Sequence, residues 1–558
     1  MRRAARTRLQ AGVLAVAVAL LPGSPAAAEG PEKVDLDAVT RIRLEGLQRG
    51  KGMETAAKLC DEIGPRLTGS PAYRKAAEWA KGQLSEWGLA NARVEPFEFG
   101  RGWVLERAAV HMLVPQATPV EAWPKAFTPG TDGPKSGPAV LLKVEKEEDL
   151  ASWKGKLAGK VVLLGDVPEA RPGEKPDSER YTDEELAKLS RYEPRDGRRP
   201  RDRDRMRREY QLRRKLAAFL AEEKVLAVLE PSRGDDGTVF AQGGGTWKPG
   251  EPEGVPTLVV AAEPYGRMAR LAGKKVPVEV EVDVVARFTE PDPLAAVNVL
   301  AEIPGTDRKD EVVMIGAHLD SWHAGTGATD NAAGVAAVME AARILKAAGL
   351  SPRRTIRVAL WGGEEQGFLG SRAYVDREIA SRPAPPAGER DGGLPDWMRG
   401  ARGGPLTLKP GHAKLSAYFN LDNGAGKVRG VYTQENAALE PVFEAWLAPL
   451  ADLGAATVTN RSTGGTDHQP FDQAGIPAFQ FVQDQLEYMT RTHHSNVDVL
   501  ERIPPADLSQ AAVVVATFAW NAAQRDAKLP RKPVPPSPAP GAPESGPDRA
   551  AAPAPGDR

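Results

Sequence analysis

Two short stretches constrain the rest of this chain more than any other feature. Residues 311–316 (Glu-Val-Val-Met-Ile-Gly) and 355–361 (Thr-Ile-Arg-Val-Ala-Leu-Trp) are largely apolar with no in-out alternation, as expected of strands covered on both faces. Between them, residues 331–345 form an almost wholly apolar helical run, and residues 417–421 and 478–482 supply further strands. Strands alternating with helices imply an α/β fold, with a central, mostly parallel sheet and helices on both of its faces. Nearer the N-terminus, Ser70-Pro71 predicts a helix start, a capping hydroxyl followed by proline in the first turn. Tyr73, Ala76, Ala80, Leu84 and Trp87 then mark one apolar face that stops at Gly88.

From about residue 103 to 288 the texture changes to short strands between loops, at 160–164, 225–229 and 256–261. Val276, Val278, Val280, Val282 and Val284 alternate with proline and acids, a half-buried strand. The Arg/Asp-rich residues 191–215 mix both signs and predict a solvated loop leading into a surface helix. Residues 382–410, rich in Pro and Gly, form a long surface insertion, a candidate lid element.

The ends carry different information. Arg2, Arg3, Arg6 and Arg8 precede an apolar run over residues 11–21 and a small-residue stretch ending at Ala28, the order of a cleaved secretion signal. Eleven apolar residues are too few to span a hydrocarbon core of about 30 Å as a helix. Export to the periplasm or medium is therefore expected, with no membrane association of the mature form. Loss of residues 1–28, which hold four arginines and no acid, takes the formal net charge from -1 to -5. Residues 530–558 are nearly all Pro, Ala, Gly and Ser with a few charges, a composition expected to stay disordered.

With 41% hydrophobic and 27% charged residues the chain of 558 has ample material for a core. Its near-balanced charge argues against a nucleic-acid binder acting through bulk electrostatics. A single cysteine, Cys60, excludes an internal disulfide and a cysteine-based zinc cluster. Of seven histidines, six lie between residues 311 and 500, and the chemistry is sought there.

The residues 311–316 strand runs into His318-Leu319-Asp320. A histidine at the carboxyl end of a buried strand sits where α/β sheets bind ligands, and Asp320 can take the other ring N–H. Asp330-Asn331 precedes the apolar helix and also suits an ordinary helix cap. The second strand empties into Gly362-Gly363-Glu364-Glu365. Adjacent carboxylates there diverge, so that one can hold a metal while the other faces a water. Phe419-Asn420-Leu421-Asp422 repeats the design, and His493-His494 is followed by Asp498, a candidate orienter. Two histidines, three carboxylates and a spare glutamate fit a two-zinc hydrolytic site built from nitrogen and oxygen ligands.

These motifs resemble those of the M28 zinc metallopeptidases, nearest the carboxypeptidase Q (plasma glutamate carboxypeptidase) branch of that family. The matching stretches are Gly316-Ala-His-Leu-Asp-Ser-Trp322, Gly327-Ala-Thr-Asp-Asn331, Leu360-Trp-Gly-Gly-Glu-Glu-Gln-Gly367, Gly464-Gly-Thr-Asp-His468 and His493-His-Ser-Asn-Val-Asp498. Residues 62–70 (Glu-Ile-Gly-Pro-Arg-Leu-Thr-Gly-Ser) resemble the opening of the same catalytic domain. The resemblance implies a three-layer phosphorylase/hydrolase-like exopeptidase domain split into residues 36–102 and 293–526, interrupted by a β-rich, protease-associated (PA-like) domain at 103–290. It implies two zinc ions, one on His318, Asp330 and Asp422, the other on Asp330, Glu365 and His494. Glu364 would be the general acid/base and Asp320 the orienter of His318, with Asp467 and His468 in the wall of the site.

His323 stands where the nearest branch leads one to expect an acid, and reads either as a substrate contact or as an exposed loop histidine. Cys60 is expected to be a buried core thiol; His111 and His412 are expected to be structural. The function expected is that of a secreted exopeptidase on short peptides, an aminopeptidase or dipeptidase, with a homodimer left open. A carboxypeptidase or an amidohydrolase on the same site is the alternative. A binding module on a dead peptidase fold fits less well, because every ligand position is filled.

Overall fold

Alternate residues of one strand explain the layering. In the strand Arg308–His318 of the computed structural model, every residue from Val312 onward is buried. Val313, Ile315 and Ala317 join a core formed with the helices Leu36–Gln48, Pro71–Glu86, Ala333–Ala347 and Pro505–Gln524. Val312 and Met314 face the other way, onto Tyr374, Val375 and Phe471. Successive side chains of a strand point to opposite faces, so a strand with no polar side requires a layer of helix on each. Full burial of each such Val or Ile contributes roughly 1.5–3 kcal/mol. The structure describes residues 32–169, 173, 176–192, 203–383 and 405–533. The expected signal at 1–28, nearly all of the Pro-rich tail and most of the 382–410 insertion lie outside the described residues.

The sheet has eight strands in the order Ala90–Pro96, Val297–Ile303, Arg354–Trp361, Arg308–His318, Leu415–Asn420, Ala478–Gln483, Val428–Tyr432, Thr457–Thr459. The four central strands are mutually parallel, and an antiparallel joint follows on either side. His318 pairs with Trp361, and Gly316 with Asn420. The carboxyl ends of three buried strands are thus aligned along one rim of the sheet.

The first two strands are neighbours in space and pair antiparallel, yet 200 residues separate Pro96 from Val297 in sequence. Within that span the chain builds a second eight-stranded sheet, from Trp103–Val114 to Glu279–Phe288. Val278, Val280, Val282 and Val284 are buried there, as the alternation predicts. Val276 is the exception. It is half exposed and closes the end of the helix Ala262–Gly273, where its N–H bonds to Leu271 O. Lys275 just before it is left-handed (φ 60°), which breaks the strand pattern.

The helix over 71–86 forms as expected, with Ser70 Oγ accepting from Tyr73 N. The apolar helix starts at Ala333 rather than 331. Asp330 and Asn331 before it have non-helical backbone, and their peptide bond is cis. Asn331 Oδ1 accepts the Gly334 N–H at the helix start, which frees Asp330 to face the other way.

Candidate active site

Each strand on the rim delivers its acidic or basic side chains at its last paired position or within four residues past it. The Trp361 strand turns through Gly362 and Gly363. A Cβ on Gly362 would lie 2.1 Å from the Tyr73 hydroxyl oxygen, and Gly363 is left-handed at φ 67°. Only glycine accepts both constraints without cost, and the turn sets Glu364 and Glu365 beside the His318 loop.

The buried His318 ring places Nε2 3.1 Å from Asp330 Oδ1 and 3.3 Å from Asp422 Oδ1. His494 Nε2 lies 3.0 Å from both Asp330 Oδ2 and Glu365 Oε2. Asp330 therefore stands between two imidazoles, one oxygen toward each. His493 stacks against His494 with ring centroids 3.6 Å apart, and its Nε2 is 3.8 Å from Asp330 Oδ2. His494 is the ring that reaches two carboxylates. Among the described residues, two trios bring ligand atoms within 4.8 Å of one another: His318, Asp330 and Asp422, and Asp330, His493 and His494.

The electrostatics are those of a site short of positive charge. Burial pushes Glu364 well above the usual carboxylate range; Asp422, Glu365 and Asp467 add to this and His318 opposes it. Burial likewise raises Glu365 to about 7, with His494 opposing and Asp330 adding. Burial disfavours a charged His494 ring, but Glu365 and Asp330 outweigh it and hold the ring up to about 9. His318 is raised well above its ordinary value because Asp422 and Glu364 outweigh its burial. Glu365 Oε1 is buried without a hydrogen-bond partner. Two imidazoles and three carboxylates, with an orphaned oxygen and no thiolate, are a donor set suited to zinc.

The model of Peptidase family M28 matches residues 298–519, the stretch that carries all of these groups. The candidate metal ligands thus lie wholly within an M28 peptidase-like stretch. Carboxypeptidase Q of Homo sapiens is 25% identical over 494 residues, covering 88% of this chain and 90% of that protein. Leupeptin-inactivating enzyme 1 of Streptomyces exfoliatus is 30% identical over 242 residues, covering 40% of this chain and 48% of that enzyme. The solved M28 peptidase precursor of Shewanella amazonensis superposes with TM-score 0.62 at 24% identity, over 90% of this chain and 99% of its own. A zinc aminopeptidase of Bacillus subtilis has TM-score 0.53 at 18% identity, over 87% and 97%. These two structures share the fold. The matched stretch is thus that of a peptidase, a hydrolase of peptide bonds.

Some supporting residues sit differently from expectation. His318 Nδ1 faces the backbone oxygen of Asp320 at 3.0 Å, while the Asp320 carboxylate is 3.6 Å away. That carboxylate accepts instead from Thr68 Oγ1 (2.9 Å), Glu364 N (3.2 Å) and Glu365 N (3.3 Å). Asp320 orients the ring through its main chain and holds the glutamate turn with its side chain.

Asp498 does not orient His494. Its oxygens take Thr329 N, Thr329 Oγ1 and Asp330 N, at 2.7, 2.7 and 3.2 Å, and so brace the Asp330 turn. His323 is not an exposed loop residue. It is 6% exposed, its Nε2 lies 2.6 Å from Pro124 O of the second sheet, and its ring meets Trp103 edge-on. Burial pushes it down to about 4.

Asp467 is fully buried, accepts from Ser371 Oγ at 2.5 Å and is raised by burial to about 8. His468 packs beside it with Nε2 3.1 Å from Thr463 O. Cys60 is a buried thiol raised by burial to about 11, and His412 is buried with Nε2 near Ala474 O. His111 lies on the second sheet, 3.7 Å from Glu281.

Sequence reasoning assigned no role to Arg66, Thr68, Tyr488 or Gln242. Arg66 is fully buried beneath the site and donates to Leu319 O, Thr326 O and Gly327 O at 2.9, 2.7 and 2.8 Å, tying the His318 loop to the turn before Asp330. Thr68 accepts from Gly363 N (3.1 Å) and joins Asp320 to the glutamate turn. Both lie in the 62–70 motif, which was the available signal. Tyr488 is buried, and burial together with Asp330, Asp422 and Glu365 raises its hydroxyl well above its ordinary value. The carboxamide of Gln242, from a loop between two strands of the second sheet, meets His494 Nδ1.

Proposed function

We propose that this chain is a secreted exopeptidase acting on short peptides, as an aminopeptidase or dipeptidase, with two zinc ions per chain. The observation that carries the reading is Asp330, shared between His318 and His494 at 3.1 and 3.0 Å. His318, Asp330 and Asp422 would hold one ion; Asp330, Glu365 and His494 would hold the other. Zinc bound there supplies Lewis acidity that polarises the scissile carbonyl and activates water.

Glu364 ligates neither ion and is the group left to move protons. Its carboxylate takes a proton from the attacking water and returns it to the leaving amine nitrogen, so that one acid/base group serves both steps. Burial that raises this carboxyl also favours its protonated form for the second step. Asp320 fixes the backbone of the turn on which Glu364 rides. The second sheet, residues 103–290, is read as the PA-like insert, and residues 1–28 as the export signal. Among the described residues no helix is long and apolar enough to cross a membrane.

Carboxy-terminal trimming is the second reading, because the relative matched over 88% of this chain is named a carboxypeptidase. Against it, Arg66 beneath the site spends its donors on backbone carbonyls and offers none to a substrate carboxylate. Digestion of a defined peptide library, read by mass spectrometry, separates the two readings by the end that shortens. Chelation should abolish hydrolysis and zinc restore it. Glu364→Gln should keep its metal and lose about 10²–10⁴-fold in kcat; undiminished turnover would remove Glu364 as the acid/base.

A further inference from the structure

The ring of His494 turns Nε2 toward Asp330 and Glu365, so its opposite nitrogen, Nδ1, faces away from the centre. What meets Nδ1 is the carboxamide of Gln242, 252 residues away in sequence in the loop between the second-sheet strands Ala227–Pro231 and Thr257–Val260. Asp498 is committed to Thr329 and Asp330 and is not the partner. We propose that Gln242 is a positioning residue for the metal centre, by which the second sheet fixes the tautomer and the aim of His494. The proposal rests on the reading of His494 as a zinc ligand.

Three further observations support it. The two segments are registered through their main chains: Ala241 N donates to His494 O at 3.1 Å, and Asn496 N to Val239 O at 3.0 Å. Asn496 Oδ1 also accepts from Val239 N at 2.8 Å. Second, His494 has a left-handed backbone at φ 66°, a conformation that a non-glycine residue keeps only when its surroundings impose it. The bond from Ala241 is part of what imposes it. Third, the chain leaves Gln242 through three glycines that pass very close to their neighbours. A Cβ on Gly243 would lie 3.2 Å from the Trp322 ring, and one on Gly245 would lie 1.5 Å from Phe127 O.

The chemistry sets which end of the amide is used. To ligate through Nε2, a neutral imidazole carries its proton on Nδ1, and that N–H needs an acceptor. The structure sets Gln242 Nε2 against Nδ1, and rotation of the amide brings its oxygen there as the acceptor. Outer partners of this kind typically contribute 10–100-fold to metal affinity.

The test compares wild type, Gln242→Leu, Gln242→Glu and His494→Ala by zinc titration of metal-stripped full-length protein. Cobalt(II) absorption serves as a second readout, and the melting temperature of the stripped protein checks the fold. Gln242→Leu should weaken one of two sites 10–100-fold, leave the other unchanged, and melt with the stripped wild type. Gln242→Glu, which keeps an acceptor, should recover affinity to within a few fold. Wild-type affinity at both sites in Gln242→Leu overturns the proposal, even if KM rises, since Gln242 would then touch substrate instead. Failure of the Glu variant to rescue also overturns it. If His494→Ala still binds two ions, the ligand reading itself has failed and the proposal falls with it. If His494→Ala loses one ion and Gln242→Leu none, Gln242 alone is refuted.

Discussion

The two imidazoles of the centre are held in unlike ways. His318 is the last residue of a strand buried from Val312 onward, paired on one side with Trp361, and its Nδ1 is served by the main chain two residues on. Its support is local and belongs to the sheet. His494 sits in a loop with a left-handed backbone, and its neighbours Ala241, Gln242 and Val239 come from a loop that joins two strands of the second sheet. One half of the site is thus built by the end of a strand, and the other by the packing of a loop of the second sheet against the His494 loop. A residue on a buried strand inherits rigidity from its ladder. A residue on a loop must obtain it from contacts that other parts of the chain bring.

The largest test of that contrast removes what the halves share. On the proposed two-ion reading, Asp330→Asn should release both ions and cost activity well beyond the about 100-fold typical of an outer-sphere partner. Metal analysis showing one ion retained would mean that Asp330 does not bridge.

The next effect is one of pH. His323 joins the His318 loop to Pro124 of the second sheet, and burial holds it down to about 4. A folded-state value below the ordinary 6.5 means that the folded chain binds fewer protons in that window. Stability is then complete above pH 6.5 and declines as the pH falls toward 4, by as much as about 3 kcal/mol for a shift of this size. His468, also pushed down by burial to about 4, contributes in the same window. His323→Gln should therefore reduce the slope of stability against pH without abolishing it, as measured by urea denaturation across pH 4–7. An unchanged slope would remove His323 from the account.

The smallest effect is expected at Asn496, whose side chain accepts from Val239 N at 2.8 Å and donates to Gly237 O at 3.3 Å. Asn496→Ala should cost about 1–2 kcal/mol in thermal stability and weaken only the His494 half. Equal weakening of both ions would erase the distinction between the halves.

The difference between the halves also separates what could be read in the sequence from what could not. His318, Glu364, Glu365 and Asp422 follow buried apolar runs by one to a few residues, so strand pattern places them on one rim. The resemblance singled out His494 over His493, and Asp498, four residues on, read as a candidate orienter. That acid instead braces Asp330, because the chain folds back to put the Thr329 and Asp330 N–H groups against it. The Asp320 carboxylate holds the glutamate turn rather than the ring it follows, since Thr68 and the Glu364 and Glu365 N–H groups arrive from other segments. His323 reads as a loop histidine until the second sheet covers it.

By itself the sequence determined the α/β layering and the rim on which the strand-end groups gather, because periodicity and strand ends are local properties of a chain. Only the tertiary structure decided which partner each of those groups finds. Gln242 lies 252 residues from His494 and carries no mark beyond the glycines after it. A hydrogen bond between segments that far apart depends on how two sheets dock, and no local pattern encodes that.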